Sequence, residues 1–135
     1  MKWLLIVMLL LIAGCSSSNS TSEAAVSPDF GGFEEISAME ANGLISSTPG
    51  INIIDISLDF RSGHLPLAKN IHPNSIRSNL QMITRDKPCI VYGGREQDSK
   101  EGASILASEG VCEKVYRMQG GLSSWSMAGF LVERT

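Results

Sequence analysis

The chain has 135 residues, 43% of them hydrophobic and 19% charged, enough to bury the core of one domain but not of two. Its formal net charge is −3 and it carries no basic run, so nucleic acid and an anionic membrane surface both lack an electrostatic footprint. The three cysteines and two histidines fall at no metal-ligand spacing, and neither a metal nor a cofactor is expected.

Met1 and Lys2 precede an unbroken apolar run over residues 3–13. About a dozen helical residues reach about 18 Å, short of the roughly 30 Å of a bilayer core. The run therefore reads as the core of a secretory signal rather than a membrane span. Leu11-Ile12-Ala13-Gly14-Cys15 resembles the lipobox of bacterial lipoproteins. That resemblance implies cleavage after Gly14 and a diacylglyceryl group on the Cys15 thiol; an ordinary signal peptide with an incidental cysteine is the competing reading. Residues 1–14 are then the signal peptide, 15–29 a Ser-rich lipidated tether, and 30–135 the folded domain. The membrane becomes a partner through the lipid on Cys15. The expected location is the cell envelope. Because Ser16 is not Asp, the resemblance favours the outer membrane, facing the periplasm, if the cell is Gram-negative.

Strand and helix signals alternate along the domain. A helix opens over residues 36–40, with Ser37 and Glu40 at capping-box spacing, and Gly43 is placed to end it. Residues 51–56 are β-branched and almost wholly apolar, as in a strand buried on both faces. Residues 76–83 read as a short helix, 88–92 as a second buried strand, and 93–98 as a loop. A helix follows over 99–109, with Ala103, Leu106 and Ala107 on one face and Gly110 as its stop. Residues 114–118 form a third strand, Gly120-Gly121 a turn, and 122–128 a last helix closed by Gly129. Buried strands separated by helices predict a mostly parallel sheet with right-handed crossovers. Ligands of such sheets sit beyond the carboxyl ends of the strands, where the loop from Gly93 lies.

Three segments, in this order, resemble the rhodanese-like family. They are Asp55-Ile56 followed by Gly63-His64-Leu65-Pro66-Leu67-Ala68, the strand ending at Tyr92 with its loop to Ser99, and Val115 to Trp125 with Gly120-Gly121 inside it. The resemblance covers nearly the whole domain. It implies an α/β three-layer sandwich whose mostly parallel central sheet has about five strands flanked by helices. It also implies local, structural roles for Asp55, His64 and Trp125.

The family's active members carry a nucleophilic cysteine, the carrier of sulfane sulfur, as the first residue of that loop. This chain has Gly93 there, so no catalytic residue is expected. The loop length is retained, which predicts that the backbone cradle survives and that an engineered Gly93→Cys restores weak persulfide chemistry. Gly93, Gly94, Arg95, Glu96, Gln97, Asp98 and Ser99 are accordingly the candidate loop for an anion or a partner. Ser57 stands where the family commonly has Arg, and Leu67 replaces the second glycine of its Gly-His-Ile-Pro-Gly stretch. In rhodanese-like sheets the strands that follow Cys89 and Cys112 are neighbours. The two cysteines then form either a disulfide or a pair of small buried hydrophobes. The leading expectation is a non-catalytic binding or scaffolding module in the envelope, its partner an envelope protein or a small anion. The alternatives are a thiosulfate-type sulfurtransferase using a non-standard residue and a stabilising protein without a ligand.

Overall fold

A computed structural model describes residues 32–135; the expected signal peptide and the tether with Cys15 lie outside the described residues. Among these residues are five strands and three α-helices, in the order β1 Phe33–Ile36, α1 Ala38–Ser47, β2 Asn52–Asp55, β3 Lys69–Asn70, β4 Cys89–Tyr92, α2 Glu96–Glu109, β5 Val115–Met118 and α3 Gly121–Met127, with 3-10 turns between β2 and β4. The sheet is parallel throughout and runs in the order β1-β5-β4-β2-β3. Among the described residues no helix is long and apolar enough to cross a membrane.

The buried runs of the sequence become the centre of this sheet because neither of their faces meets water. Along β2 and β4 successive side chains point to opposite sides. Ile54, Cys89 and Val91 enter one core with Ile71, Ile76, Ala103 and Leu106. Ile53, Ile90 and Tyr92 enter the other with Ala41, Leu65, Met118 and Trp125. Helix α2 covers the first face, and α1 and α3 cover the second, which makes three layers. Trp125 is buried, donates its indole N–H to the Leu131 carbonyl at 2.8 Å and packs on Phe130.

Local expectations change in three places. Gly43 does not end α1, which runs on to Ser47 because Leu44 and Ile45 still pack on the second core. That burial outweighs the roughly 1 kcal/mol cost of a glycine inside a helix. The Ser37–Glu40 capping box does start it. Residues 76–83 form no α-helix; Arg77–Met82 is 3-10 and is broken at Asn79, whose side-chain amide donates to the Ser75 carbonyl while its backbone N–H keeps the Ile76 carbonyl. The edge strands β1 and β3 escape the sequence pattern. One is half polar and the other has two residues.

Cys89 and Cys112 are joined as a disulfide, their Cα atoms 5.8 Å apart, at the amino-terminal edge of the sheet. Leu67 has a φ of 64°, a left-handed conformation natural to glycine, and its side chain is 83% exposed. The backbone strain therefore returns almost no burial.

Two outcomes follow. Leu67→Gly is expected to raise the unfolding free energy by about 0.5–1 kcal/mol in urea titrations, the left-handed strain removed exceeding the added chain entropy. Reduction of the disulfide, whose cysteines are 23 residues apart, is expected to lower stability by about 3 kcal/mol, read as a drop in the urea midpoint.

Candidate functional site

The carboxyl ends of β2 and β4 meet at a buried carboxylate. Asp55 is the last residue of β2 and is 1% exposed. Its Oδ1 accepts from the Ser57 amide at 2.7 Å and from the Ser57 hydroxyl at 2.5 Å. Its carbonyl accepts from the Ile71 amide and from the Asn70 side chain, both at 2.9 Å. Asn70 also holds the Ser57 carbonyl, so one amide side chain ties the turn after β2 to β3. Across the register from Asp55 lies Tyr92, whose hydroxyl accepts from the Leu65 amide at 2.9 Å. Burial, reinforced by the charge of Asp55, pushes the phenol well above its ordinary value, so it stays protonated.

Gly93 comes next, with a φ of 97°. A Cβ on this backbone would stand 2.7 Å from Asp55 Oδ1 and 3.3 Å from the Ser57 amide nitrogen. On the other side the Gly120-Gly121 turn passes at ordinary contact range: a Cβ on Gly121 would lie 3.7 Å from the Gly93 backbone. A side chain at position 93, as in the engineered Gly93→Cys, therefore requires the Asp55 carboxylate to shift. A thiol there would have to displace the Asp55 carboxylate.

A cavity of about 330 Å³ opens over this point. Its walls are Asp55, Ser57, Asp59, Ser62, Gly63, Tyr92, Gly93, Gly94, Gly120, Gly121, Leu122 and Ser123. Of the seven loop residues expected to act together, it receives Gly93 and Gly94. Arg95 and Asp98 face a neighbouring groove with Leu58, His72 and Asn74. Glu96 and Gln97 lie on the outer side of α2 with Lys100. Ser99 is buried under the helix.

The loop divides in this way because α2 begins at Glu96, three residues earlier than the sequence indicated. Asp98 is the reason: its Oδ2 accepts from the Arg95 amide at 3.2 Å, capping the helix start from within. The Arg95 guanidinium grips the same carboxylate through Nε and Nη2, each at 3.0 Å, and holds Asp98 below the usual carboxylate range. The positive end of α2 is therefore already occupied by a carboxylate of this chain. Of the backbone N–H groups expected to form a cradle, that of Arg95 is thus taken by Asp98.

Beneath α2 lies a cluster that the sequence did not single out. Arg117 of β5 is 2% exposed. Its Nη2 donates to Glu35 Oε1 at 2.8 Å and its Nη1 to the Ser99 hydroxyl at 3.0 Å. Ser99 in turn donates to the Glu96 carbonyl. Gln119 also donates to Glu35, and that bond, followed by Arg117, holds the Glu35 carboxyl below its ordinary value against the opposing effect of burial. Edge strand, central strand and helix start are thus locked together. The available signal was a lone arginine inside a buried strand, which needs an acid nearby. His64 stacks on Phe60 with centroids 3.9 Å apart, and its Nδ1 bonds the Leu65 carbonyl, a local role.

A family model for the rhodanese-like domain matches residues 31–128, and the chain belongs to that family. The uncharacterized protein YqhL of Bacillus subtilis (strain 168) is 30% identical over 67 residues, which cover 50% of this chain and 52% of that protein. The chain thus spans about half the length of the curated relative it matches. Among solved structures, a rhodanese-like domain protein from Staphylococcus aureus is 20% identical with a TM-score of 0.63, over 76% of this chain and 98% of that one. A rhodanese-related protein from Thermoplasma volcanium is 21% identical at 0.64, over 76% and 99%. A thiosulfate sulfurtransferase from Pseudomonas aeruginosa is 16% identical at 0.65, over 75% of this chain and 19% of that one. At such identities the likeness shows the fold.

Gly93→Ala is expected to cost about 2 kcal/mol or more in urea unfolding, since it combines a left-handed φ with a clash on a buried carboxylate. The lowered Glu35 pKa gives a pH dependence of definite sign. Its folded value lies below the ordinary 4.5, so its stabilisation is present above that pH and is lost as pH falls through the folded value. Glu35→Gln is expected to flatten the stability profile below pH 4.5, measured by urea midpoints across the acid range.

Proposed function

We propose that this rhodanese-like domain is a non-catalytic binding module, held at the cell envelope by lipid on Cys15. One position carries the reading of inactivity. Where the resemblance places the sulfur-carrying cysteine stands Gly93, and a Cβ there would lie 2.7 Å from Asp55 Oδ1. The two cysteines of the domain are joined to each other at the opposite edge of the sheet, so neither offers a thiol to the cavity.

The choice between a small anion and a protein partner follows from charge. Asp55 and Asp59 are the ionisable carboxylates of the cavity wall, and no Lys or Arg side chain lines it. The end of α2, which would otherwise favour an anion, is taken by Asp98. An incoming anion would meet like charge in a half-dry site, which favours a protein partner.

Two measurements test the proposal. Incubated with thiosulfate and cyanide, the purified chain is expected to form thiocyanate no faster than a protein-free control. Turnover that disappears in Cys89→Ser or Cys112→Ser would establish the sulfurtransferase alternative instead. Cells grown with radioactive palmitate are expected to label the wild-type chain and not Cys15→Ser; equal labelling of both would remove the lipid anchor.

A further inference from the structure

The cavity over Gly93 has a rim as well as a floor. Leu58 and Met127 are each 88% exposed. Leu58 lies in the groove that shares Ser57, Asp59 and Gly94 with the cavity. Met127 lies in a shallower depression that shares Leu122 and Ser123 with it. The two side chains therefore flank the cavity from the β2 side and from the α3 side. Single exposed apolar residues are ordinary on a protein surface, but two of this size astride one polar cavity make a composite surface. Neither contributes appreciably to the core of this chain, so their placement serves no packing purpose within it.

The charged side chains that line the cavity itself are carboxylates. Asp55 and Asp59 form part of the cavity wall, with the Ser57, Ser62 and Ser123 hydroxyls beside them. The adjoining groove adds Glu101, while its Asp98 is neutralised by Arg95. Arg95, which faces that groove, has its guanidinium committed to Asp98 through two hydrogen bonds. His72 also faces the groove. Arg134 touches the rim by donating to the Ser62 carbonyl and does not line the cavity. A volume of about 330 Å³ suits one long side chain and its hydration, not a folded element.

We propose that this mouth receives a lysine or arginine side chain from a protein partner, presented between apolar residues that rest on Leu58 and Met127. The proposal deepens the non-catalytic binding reading and rests on it. The aliphatic stem of such a side chain crosses the apolar rim, while its cationic head lies among the hydroxyls beside Asp59, with Asp55 supplying charge from below. Because Asp55 Oδ1 already accepts two hydrogen bonds from Ser57, its part is electrostatic, and Asp59 is the more accessible partner.

The test uses the full chain in detergent and three fluorescein-labelled pentapeptides, ALRLA, ALQLA and ALELA, blocked at both ends and read by fluorescence anisotropy. Loss of a charged partner in a partly desolvated site costs well over a factor of ten, so ALRLA is expected to bind at least about tenfold more tightly than the other two. Asp59→Asn is expected to remove that preference. The double variant Leu58→Ser with Met127→Ser is expected to weaken all three peptides while keeping their order. Equal affinity for the three peptides, or no saturable binding, would overturn the proposal. So would self-association of the chain that the double variant abolishes, since the rim would then be covered by a second copy. Thiocyanate formation from thiosulfate and cyanide by the same preparation would instead sink the non-catalytic reading, so the two failures are told apart.

Discussion

The structure turns on the buried carboxylate of Asp55. A charge nearly removed from water has to be satisfied by its surroundings, and here it is satisfied by ordering the chain on every side. Its Oδ1 draws in the Ser57 amide and hydroxyl, which turns the backbone after β2. Its carbonyl holds Ile71 and Asn70, which keeps the short β3 in register. Tyr92 is fixed beside it by the Leu65 amide. With that space filled, a Cβ on Gly93, the residue after the neighbouring strand, would stand 2.7 Å from Asp55 Oδ1.

The same logic governs the start of α2. A helix amino terminus leaves unpaired N–H groups and a partial positive charge, and some acceptor has to meet them. In this chain Asp98 takes one of them, the Arg95 amide, from inside and is steadied by the Arg95 guanidinium. From below, Ser99 is held by the buried Arg117, whose charge is answered by Glu35. A buried arginine costs much of its own hydration, and breaking it from its partner typically costs about 3–5 kcal/mol, so the cluster constrains which backbone arrangements are accessible. The stretch that resemblance marks as a single anion-binding loop is accordingly divided among a cavity, a groove and an outer helix face.

The proposed function rests on the charge left at the cavity. Nucleophilic sulfur chemistry needs a thiolate beside anion-stabilising donors, whereas this site offers carboxylates, hydroxyls and glycine backbone. Such a surface suits recognition of a cation better than transfer of a group. The disulfide completes the contrast. By placing the domain's two cysteine sulfurs at the far edge of the sheet, the fold uses them as a cross-link and leaves the cavity without a thiol.

Much of this was legible in the chain itself. The apolar runs ending at Ile56 and Tyr92 could bury themselves only as central strands, and the helical segments between them dictated a parallel sheet. Gly110 and the Ser37–Glu40 pair marked real helix ends, because caps are satisfied by neighbours a few residues away. The absence of a nucleophile at Gly93 was equally plain. Gly43, by contrast, misled, since burial of Leu44 and Ile45 against distant strands decided where α1 ended. The role of Arg117 stayed hidden because Glu35, which neutralises it, comes from a strand far away in sequence. The chain by itself thus determined the order of elements, the fold and the missing thiol, all set by local pattern and residue identity. Only the tertiary structure decided that Asp55 occupies the space beside Gly93 and that Asp98 caps α2, because both depend on which side chains the folded sheet and helix bring within hydrogen-bonding distance.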